Sequence, residues 1–306
     1  MASKSNQDKK TFLCFTQSYS SLDEALMRLG FSKQSLKKNL SKKQRTISVE
    51  AFQEKEVLFD VLNFGRINPE FIGPLPKIIF ENEDFLILNK PSGVQCEARG
   101  YSDKENLLSY LRSIGRGSLL INHQQHLDRG LLNRLDGETS GLVLYSKKKV
   151  EKKKETLFKV LKKKVYLCLV QGEIKKRGVV KALFSHKGEK ASQTIVVSEG
   201  GREGCLKIIQ SFYLPDQDIS LVCIELDTGI RHQIRAYMKA LGHPIVGDSL
   251  YGAFDQDEIL QLHAWRYELQ KDVIEADPKN IQNLVGNFLD LDSCLDVFRN
   301  QLRVGE

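Results

Sequence analysis

Short runs of β-branched and aromatic residues follow one another along most of the chain, without a helix between each pair. They occupy residues 78–81, 85–88, 141–147, 165–174, 179–184, 193–198 and 220–229. Antiparallel strands can follow each other through short turns, whereas parallel strands need a long crossover that is usually helical. The sequence therefore predicts an α+β fold on a mostly antiparallel mixed sheet with flanking helices.

Apolar residues at helical spacing mark three further segments, at 105–115, 148–164 and 230–242. In the second, the apolar positions are Val150, Leu157, Phe158 and Leu161. The third ends at Gly242, a residue that commonly stops a helix. On this third helix, Arg231 and Arg235 are one turn apart, which predicts that both project from one face.

The N-terminal quarter of the chain has a different character. Residues 1–10 lack the apolar stretch of a secretory signal and are predicted to be a disordered tail. Residues 11–70 are predicted to form a small basic domain, with two short helices within 19–45 that are capped at Ser21 and interrupted near Gly30. The segment FIGPLPK, 71–77, reads as a linker, and 78–306 as one large domain.

Composition narrows the class of function. The net charge of the 306 residues is +7, which favours an acidic partner, RNA or DNA before a membrane. Six dispersed cysteines without a C-x-x-C pair argue against a zinc ribbon or a disulfide framework and suit a reducing cytoplasm. The histidines are scattered and no glycine-rich phosphate loop is present, so we expect no metal and no small-molecule cofactor. No apolar run reaches the length of a membrane span.

One polar stretch between apolar runs, N-R-L-D-G-E-T-S-G at 133–141, contains a single aspartate beside an arginine. Asp136 is suited to capping the turn through the backbone amides of Thr139 and Ser140, to pairing with Arg134, or to catalysis. The stretch alone leaves these alternatives open.

The motifs around this stretch resemble those of the RluA-type pseudouridine synthases. The stretch itself is similar to the family's H-R-L-D-x-x-T-S-G motif. The other motifs occur in the family's order. N-K-P-S-G (89–93) precedes the stretch, and it is followed by K-V-Y (164–166), T-G-I-R-H-Q-I-R-A (228–236), G-H-P-I-V-G-D-S-L-Y-G (242–252) and L-H-A (262–264). The chain departs from the pattern at Asn133, where His is common, at Ile230-Arg231, where Arg-Thr is common, and at Cys96-Glu97, where His-Pro is common.

The resemblance implies an enzyme, an isomerase that converts uridine to pseudouridine within structured RNA, 23S ribosomal RNA first and transfer RNA second. It implies that Asp136, Tyr166 and Arg235 are catalytic, and that Arg134, Leu262, Arg231 and Lys90 contact the substrate. Asp136 would attack the ribose, add to the base or remove a ribose proton. We expect a cytoplasmic monomer whose partner is RNA.

Two other functions compete with this one. An RNA-binding relative without catalysis, acting in ribosome assembly, would keep the basic surface but would not need Asp136. A nucleic-acid base hydrolase would need a second carboxylate that activates water, and the sequence does not show one. Residues 19–45 also resemble, faintly, the S4-type RNA-binding helices that often precede such domains.

Overall fold

A computed structural model describes residues 11–14, 18–28, 33, 36–37, 40–51, 54–57, 67–98, 103–121, 129–150, 153–188, 193–252 and 259–304. The predicted disordered tail, Gly30, and the start of the second N-terminal helix lie outside these residues. Most of the described chain forms one ten-stranded sheet with helices packed against it. This confirms the predicted α+β class.

The strands of the large sheet are β3 (Lys77–Glu81), β4 (Phe85–Lys90), β5 (Ser140–Ser146), β6 (Leu161–Gln171), β7 (Gly178–Lys187), β8 (Gln193–Val197), β9 (Arg202–Leu214), β10 (Ile219–Leu226), β11 (Leu262–Leu269) and β12 (Val273–Glu275). Their order is β3-β4-β5-β11-β6-β10-β9-β7-β8, with β12 beside β11. Every pairing is antiparallel except that of β5 with β11. The predicted hairpin is β3 and β4, and its turn is fixed by Asn82, whose Oδ1 accepts the Asp84 and Phe85 amide hydrogens.

The helices of the described chain are α1 (Leu22–Arg28), α2 (Lys42–Arg45), α3 (Leu107–Ser113), α4 (Gly117–Ile121), α5 (Lys153–Val160), α6 (Gln233–Ala240), α7 (Lys279–Val285) and α8 (Leu291–Val304). Helices α7 and α8 cover one sheet face around Trp265 and Phe298, and α3 covers the outer end around β4 and β5. Burial of these apolar side chains supplies the main favourable free energy of folding. None of the described helices combines the length and the apolar composition needed to cross a membrane.

The N-terminal segment forms a two-stranded sheet, β1 (Thr11–Cys14) with β2 (Glu54–Val57), and carries α1 and α2. Ser21 caps α1 as predicted, because its Oγ accepts the Glu24 amide hydrogen. An ion pair of 2.9 Å between Arg45 and Asp23 ties α2 to α1. The S4-like assignment stays a prediction.

Residues near the predicted domain boundary contact the large sheet's own helices. Ile67 is buried with the apolar side chains of α3 and β4, and Glu70 pairs with Lys104 at 2.7 Å. The ring of Phe71 lies edge-on to Tyr110, 5.5 Å away. Residue 77 is already the first residue of β3. The division into 11–70, 71–77 and 78–306 stays a prediction.

Two helix boundaries were predicted wrongly. The helix expected over 148–164 is α5, which ends at Val160, and Leu161 begins strand β6. Phe158, one of the apolar positions of the expected helix, lies within α5 and is 68% exposed. The helix expected over 230–242 begins at Gln233, because His232 has a φ of 54° and cannot continue a right-handed helix backwards. Arg231 thus precedes the helix and is exposed, while Arg235 is buried, so they share no face.

The parallel pairing of β5 with β11 depends on a glycine and a histidine. Gly141 has a φ of 112°, and a Cβ there would lie 2.3 Å from the carbonyl oxygen of Ala264. Only glycine permits this approach. Beside it, the buried ring of His263 lies 2.8 Å from Ser140 Oγ through Nδ1 and 3.1 Å from the Ala276 carbonyl through Nε2. The ring is therefore bound in its neutral form.

Acid should destabilise the fold through His263. Burial lowers the pKa of His263 from 6.5 to about 4. Between these two pH values His263 is protonated in the unfolded chain and neutral in the folded chain. The folded state therefore loses stability as pH falls from 6.5 through about 4. We expect a loss approaching about 3 kcal/mol, measured by urea unfolding over this pH range. His263→Gln should flatten the pH dependence; an unchanged dependence in this variant would exclude His263 as its source.

Candidate active site

Asp136 lies in the loop that leads into β5, at the point where β5, β11 and β6 are adjacent. The turn is closed by its main-chain carbonyl, which accepts the Thr139 amide hydrogen at 3.1 Å. The carboxylate itself faces a histidine and an arginine: His232 Nε2 is 3.5 Å from Oδ1, and Arg235 Nη1 is 3.8 Å from Oδ2. The Asp136 side chain is 26% exposed, so the carboxylate lies beside a buried histidine and a buried arginine and is still open to a ligand.

The loop is held from beneath by Lys90, the last residue of β4. Its ammonium donates hydrogen bonds to the carbonyls of Pro91, Val94 and Gly137 at 3.1, 2.7 and 2.9 Å. Burial lowers the pKa of Lys90 to about 8, so the charged form predominates at neutral pH and gives one hydrogen to each carbonyl. The residue is fully buried and ties the N-K-P-S-G turn to the Asp136 loop.

Arg235, on α6, is held by a second aspartate. Its Nε and Nη2 donate to the two carboxylate oxygens of Asp248 at 2.8 and 2.7 Å. This two-point contact fixes the plane of the guanidinium and leaves Nη1 directed at Asp136 and Glu138. Asp248 is fully buried, and its Oδ1 also accepts the amide hydrogens of Leu250 and Tyr251. The arginine is therefore preorganised before any ligand arrives.

His232 approaches Asp136 from the other side. Its Nδ1 is 3.0 Å from the hydroxyl of Tyr251, and that hydroxyl accepts the Thr194 amide hydrogen at 2.7 Å. The Tyr251 hydrogen then goes to Nδ1, which leaves a hydrogen on Nε2 facing Asp136. Burial lowers the pKa of His232, partly against the Asp136 charge that raises it. The ring is thus a neutral hydrogen-bond donor to the carboxylate side of the site.

Tyr166 lies on β6 and is buried on the same side of the sheet as the Asp136 loop. Burial raises the pKa of its hydroxyl, and the nearby Asp136 charge raises it further. Its hydroxyl is hydrogen-bonded to that of Tyr267 on β11. The hydroxyl is therefore protonated at neutral pH.

Arg235 lies beside Asp136, and Tyr166 is close enough for the Asp136 charge to raise the pKa of its hydroxyl. The catalytic roles of these three residues stay a prediction. The residues predicted to contact the substrate lie in different settings. Arg134 is exposed and pairs with Glu97 at 2.5 Å, and Arg231 is exposed just before α6. Leu262 is buried at the start of β11, and Lys90 lies behind the loop.

The family model described as RNA pseudouridylate synthase matches residues 84–240, just over half of the chain. The chain belongs to the RNA pseudouridine synthases. This is a family of isomerases that act on RNA, as the sequence motifs predicted.

Curated relatives agree. An uncharacterised RNA pseudouridine synthase of Helicobacter pylori is 30% identical over 233 residues, which are 74% of this chain and 74% of that protein. The ribosomal large subunit pseudouridine synthase D of Nitrosomonas europaea is 28% identical over 211 residues, 63% of this chain and 57% of that one. A Bacillus subtilis pseudouridine synthase is 28% identical over 65% of this chain and 62% of its own length. The chain thus spans about three fifths of the latter two.

A solved structure shares the fold. The human RNA pseudouridylate synthase domain containing 1 covers 74% of this chain and 98% of its own, with a TM-score of 0.53 and 21% identity. This likeness supports the mixed sheet with flanking helices that is described above.

Sequence reasoning missed several members of the pseudouridine synthase site. Asp248 lies in the quoted G-H-P-I-V-G-D motif, and its position next to a turn gave a signal that it accepts backbone hydrogens. His232 lies within H-Q-I-R, between the two arginines that were considered. Tyr251 lies in the same quoted motif, but its contact with His232 is not encoded locally, and Tyr267 contacts Asn133, which is 134 residues away in sequence. Within the described ranges, His, Cys, Asp and Glu side chains form no group of three that could hold a metal ion.

Proposed function

We propose that this pseudouridine synthase isomerises a specific uridine in ribosomal RNA, with Asp136 as the catalytic residue. The observation that carries the proposal is the Asp136 carboxylate, which is open to a ligand and lies 3.8 Å from a buried arginine. Desolvation by a bound base would disfavour an ionised carboxylate, and the adjacent guanidinium offsets that effect. Arg235 therefore stabilises negative charge on Asp136 when a base is bound.

The reaction leaves the elemental composition of the uridine unchanged. The N1–C1′ bond breaks, the uracil turns, and a C5–C1′ bond forms to the same ribose. The hydrogen on C5 is lost and N1 gains one, so no oxidant, water or cofactor is consumed. The catalyst must therefore hold a detached, electron-rich uracil and move one proton, which suits a carboxylate, a guanidinium and a phenol in a partly buried site.

The target base must be flipped out of its helix before Asp136 can reach it, at a cost of a few kcal/mol, roughly. Basic surface residues offset this by binding the flanking phosphates. Arg134 and Arg231 are exposed near the two sides of the site and are assigned to this contact. Leu262 is assigned to the apolar wall of the pocket. Lys90 has all three hydrogens bound by carbonyls, so we assign it to holding the loop instead of to substrate contact.

Three lysines of the basic segment 147–164, which includes α5, are paired with carboxylates. Lys147 pairs with Glu81 at 2.9 Å, Lys163 pairs with Glu268 at 3.2 Å, and Lys148 pairs with Asp84. By contrast, Lys159 and Lys162 are exposed. These ion pairs reduce the number of lysines in the segment that are available to bind phosphates.

Relatives named as acting on the ribosomal large subunit favour 23S ribosomal RNA as the target, with transfer RNA second. We further propose that the enzyme acts in the cytoplasm as a monomer, since Asp136, Tyr166, Arg235 and Asp248 all come from one chain. The alternative, an RNA-binding relative that acts in ribosome assembly without catalysis, would not require this preorganised carboxylate and arginine.

Deleting the gene and mapping pseudouridine in total RNA tests the proposal. We expect one or a few positions, first of all in large-subunit ribosomal RNA, to lose pseudouridine and to regain it with the wild-type gene. If pseudouridine is lost only from transfer RNA, the proposed reaction is correct but the target is transfer RNA instead of ribosomal RNA. If no position changes while large ribosomal subunits accumulate as precursors, the non-catalytic alternative is correct.

A further inference from the structure

Asn133, which replaces the histidine common at this place in the motif, is fixed by two hydrogen bonds. Its Oδ1 accepts the Leu144 amide hydrogen at 2.8 Å, and its Nδ2 donates to the Tyr267 hydroxyl at 2.7 Å. A backbone N–H can only donate, so it must face the amide oxygen. The NH₂ group is therefore obliged to face Tyr267, and this orientation follows from the bonding partners of the amide.

The donor on Asn133 sets the direction of the next hydrogen bond. The Tyr267 oxygen already accepts from Asn133, so its own hydrogen is available for Tyr166, with which it is hydrogen-bonded. Both rings are buried, on the adjacent strands β11 and β6. The Tyr166 oxygen then accepts the hydrogen of the Tyr267 hydroxyl, and the hydrogen of Tyr166 points away from Tyr267.

We propose that Asn133 and Tyr267 are positioning residues that fix a one-way hydrogen-bond chain, so that Tyr166 donates its hydroxyl hydrogen to the uracil. The inference rests on the proposed function of the site. When the N1–C1′ bond breaks, negative charge spreads over N1 and the uracil oxygens. A hydrogen-bond donor that is already oriented stabilises that charge without a proton transfer.

Two properties of these residues support the role of Tyr166 as a hydrogen-bond donor. Burial keeps the Tyr166 hydroxyl protonated at neutral pH, so it is a poor acceptor of a proton and a competent donor. Asparagine also has a single protonation state over the whole working range of pH, whereas a histidine at position 133 would exchange its donor and acceptor atoms. The direction of the chain is thus independent of pH in this protein.

The test measures the single-turnover release of tritium from RNA that carries uridine tritiated at C5. The RNA is total RNA from a strain that lacks the gene. Tyr267→Phe removes the middle of the chain. Asn133→Asp keeps the shape and the acceptor for Leu144 but now accepts from Tyr267, which reverses the chain. We expect each variant to lower the rate about tenfold, with the RNA concentration at half-saturation unchanged.

The decisive comparison is made in a Tyr166→Phe background. If Tyr267 and Asn133 act through Tyr166, then Tyr166→Phe combined with either change should be no slower than Tyr166→Phe alone. A structural role for Tyr267 or Asn133 would instead give additive losses. Tyr237→Phe is the matched control: its hydroxyl is buried and, among the described residues, has no hydrogen-bond partner. We expect its rate to be that of the wild type.

Additive losses, or wild-type rates in both Tyr267→Phe and Asn133→Asp, would overturn the proposal. If Asn133→Asp does not fold, the Tyr267→Phe comparison alone decides, because it deletes one atom. Asp136→Asn measured on the same RNA separates the two proposals. If Asp136→Asn is inactive and Tyr267→Phe is unaffected, only the proposed hydrogen-bond chain is refuted. If Asp136→Asn is active, the catalytic assignment of Asp136 is refuted and the proposed hydrogen-bond chain with it.

Discussion

Asp136→Asn is expected to lower the single-turnover rate of isomerisation by at least about a thousandfold, because a neutral amide can neither attack nor accept a proton. The amide has almost the same shape as the carboxylate. The turn around it is closed by the main-chain carbonyl of Asp136, and Lys90 holds the loop through Gly137, so neither depends on the carboxylate. RNA affinity should therefore stay within about threefold, which filter binding of the same RNA measures.

The control for this variant is Glu138→Gln. Glu138 is two residues away on the same loop and lies 3.5 Å from the same nitrogen of Arg235, but its side chain is 60% exposed. Its removal takes the same charge from the same arginine. We expect an effect below about threefold, as for other exposed ion pairs. Equal losses in the two variants would show that loop charge matters and that Asp136 has no special role.

The sheet and its hairpin were predictable because their signals are local. Short apolar runs and the Asn82 turn determine β3 and β4 without reference to the rest of the chain. The end of α5 was not predictable in this way. Lysines and leucines continue across Val160, and the change to strand at Leu161 depends on pairing with β11, about a hundred residues later. The parallel contact of β5 with β11 is equally non-local.

The site shows the same division. Motif order located Asp136, Tyr166 and Arg235, but not what surrounds each of them. The family resemblance predicts that Lys90 contacts the substrate, whereas its burial follows from three carbonyls supplied by two separate turns. Asp248 was not singled out, because the buried cation that it neutralises comes from another element. Partners of buried charges are set by tertiary structure, which composition and spacing do not encode.

Asp248→Asn is expected to destabilise the protein by about 3–5 kcal/mol and to remove most of its activity. The Asn carbonyl can still accept the amide hydrogens of Leu250 and Tyr251, so the turn is preserved. The negative charge of Asp248 is lost, however. Arg235, with 4% of its side chain exposed, then has only the longer ion pairs with Asp136 and Glu138. Urea unfolding and the tritium-release rate measure the two effects.

Two further variants separate the buried pair from its surroundings. Asp296→Asn breaks a pair of 2.6 Å with Arg299, in which the aspartate is 71% exposed, and should cost less than about 1 kcal/mol. The double variant Asp248→Asn with Arg235→Met removes both buried charges and should regain stability relative to Asp248→Asn. It should not regain activity, because Asp136 then lacks its cation. If the double variant is as unstable as Asp248→Asn, the loss comes from the turn and not from an unpaired buried arginine.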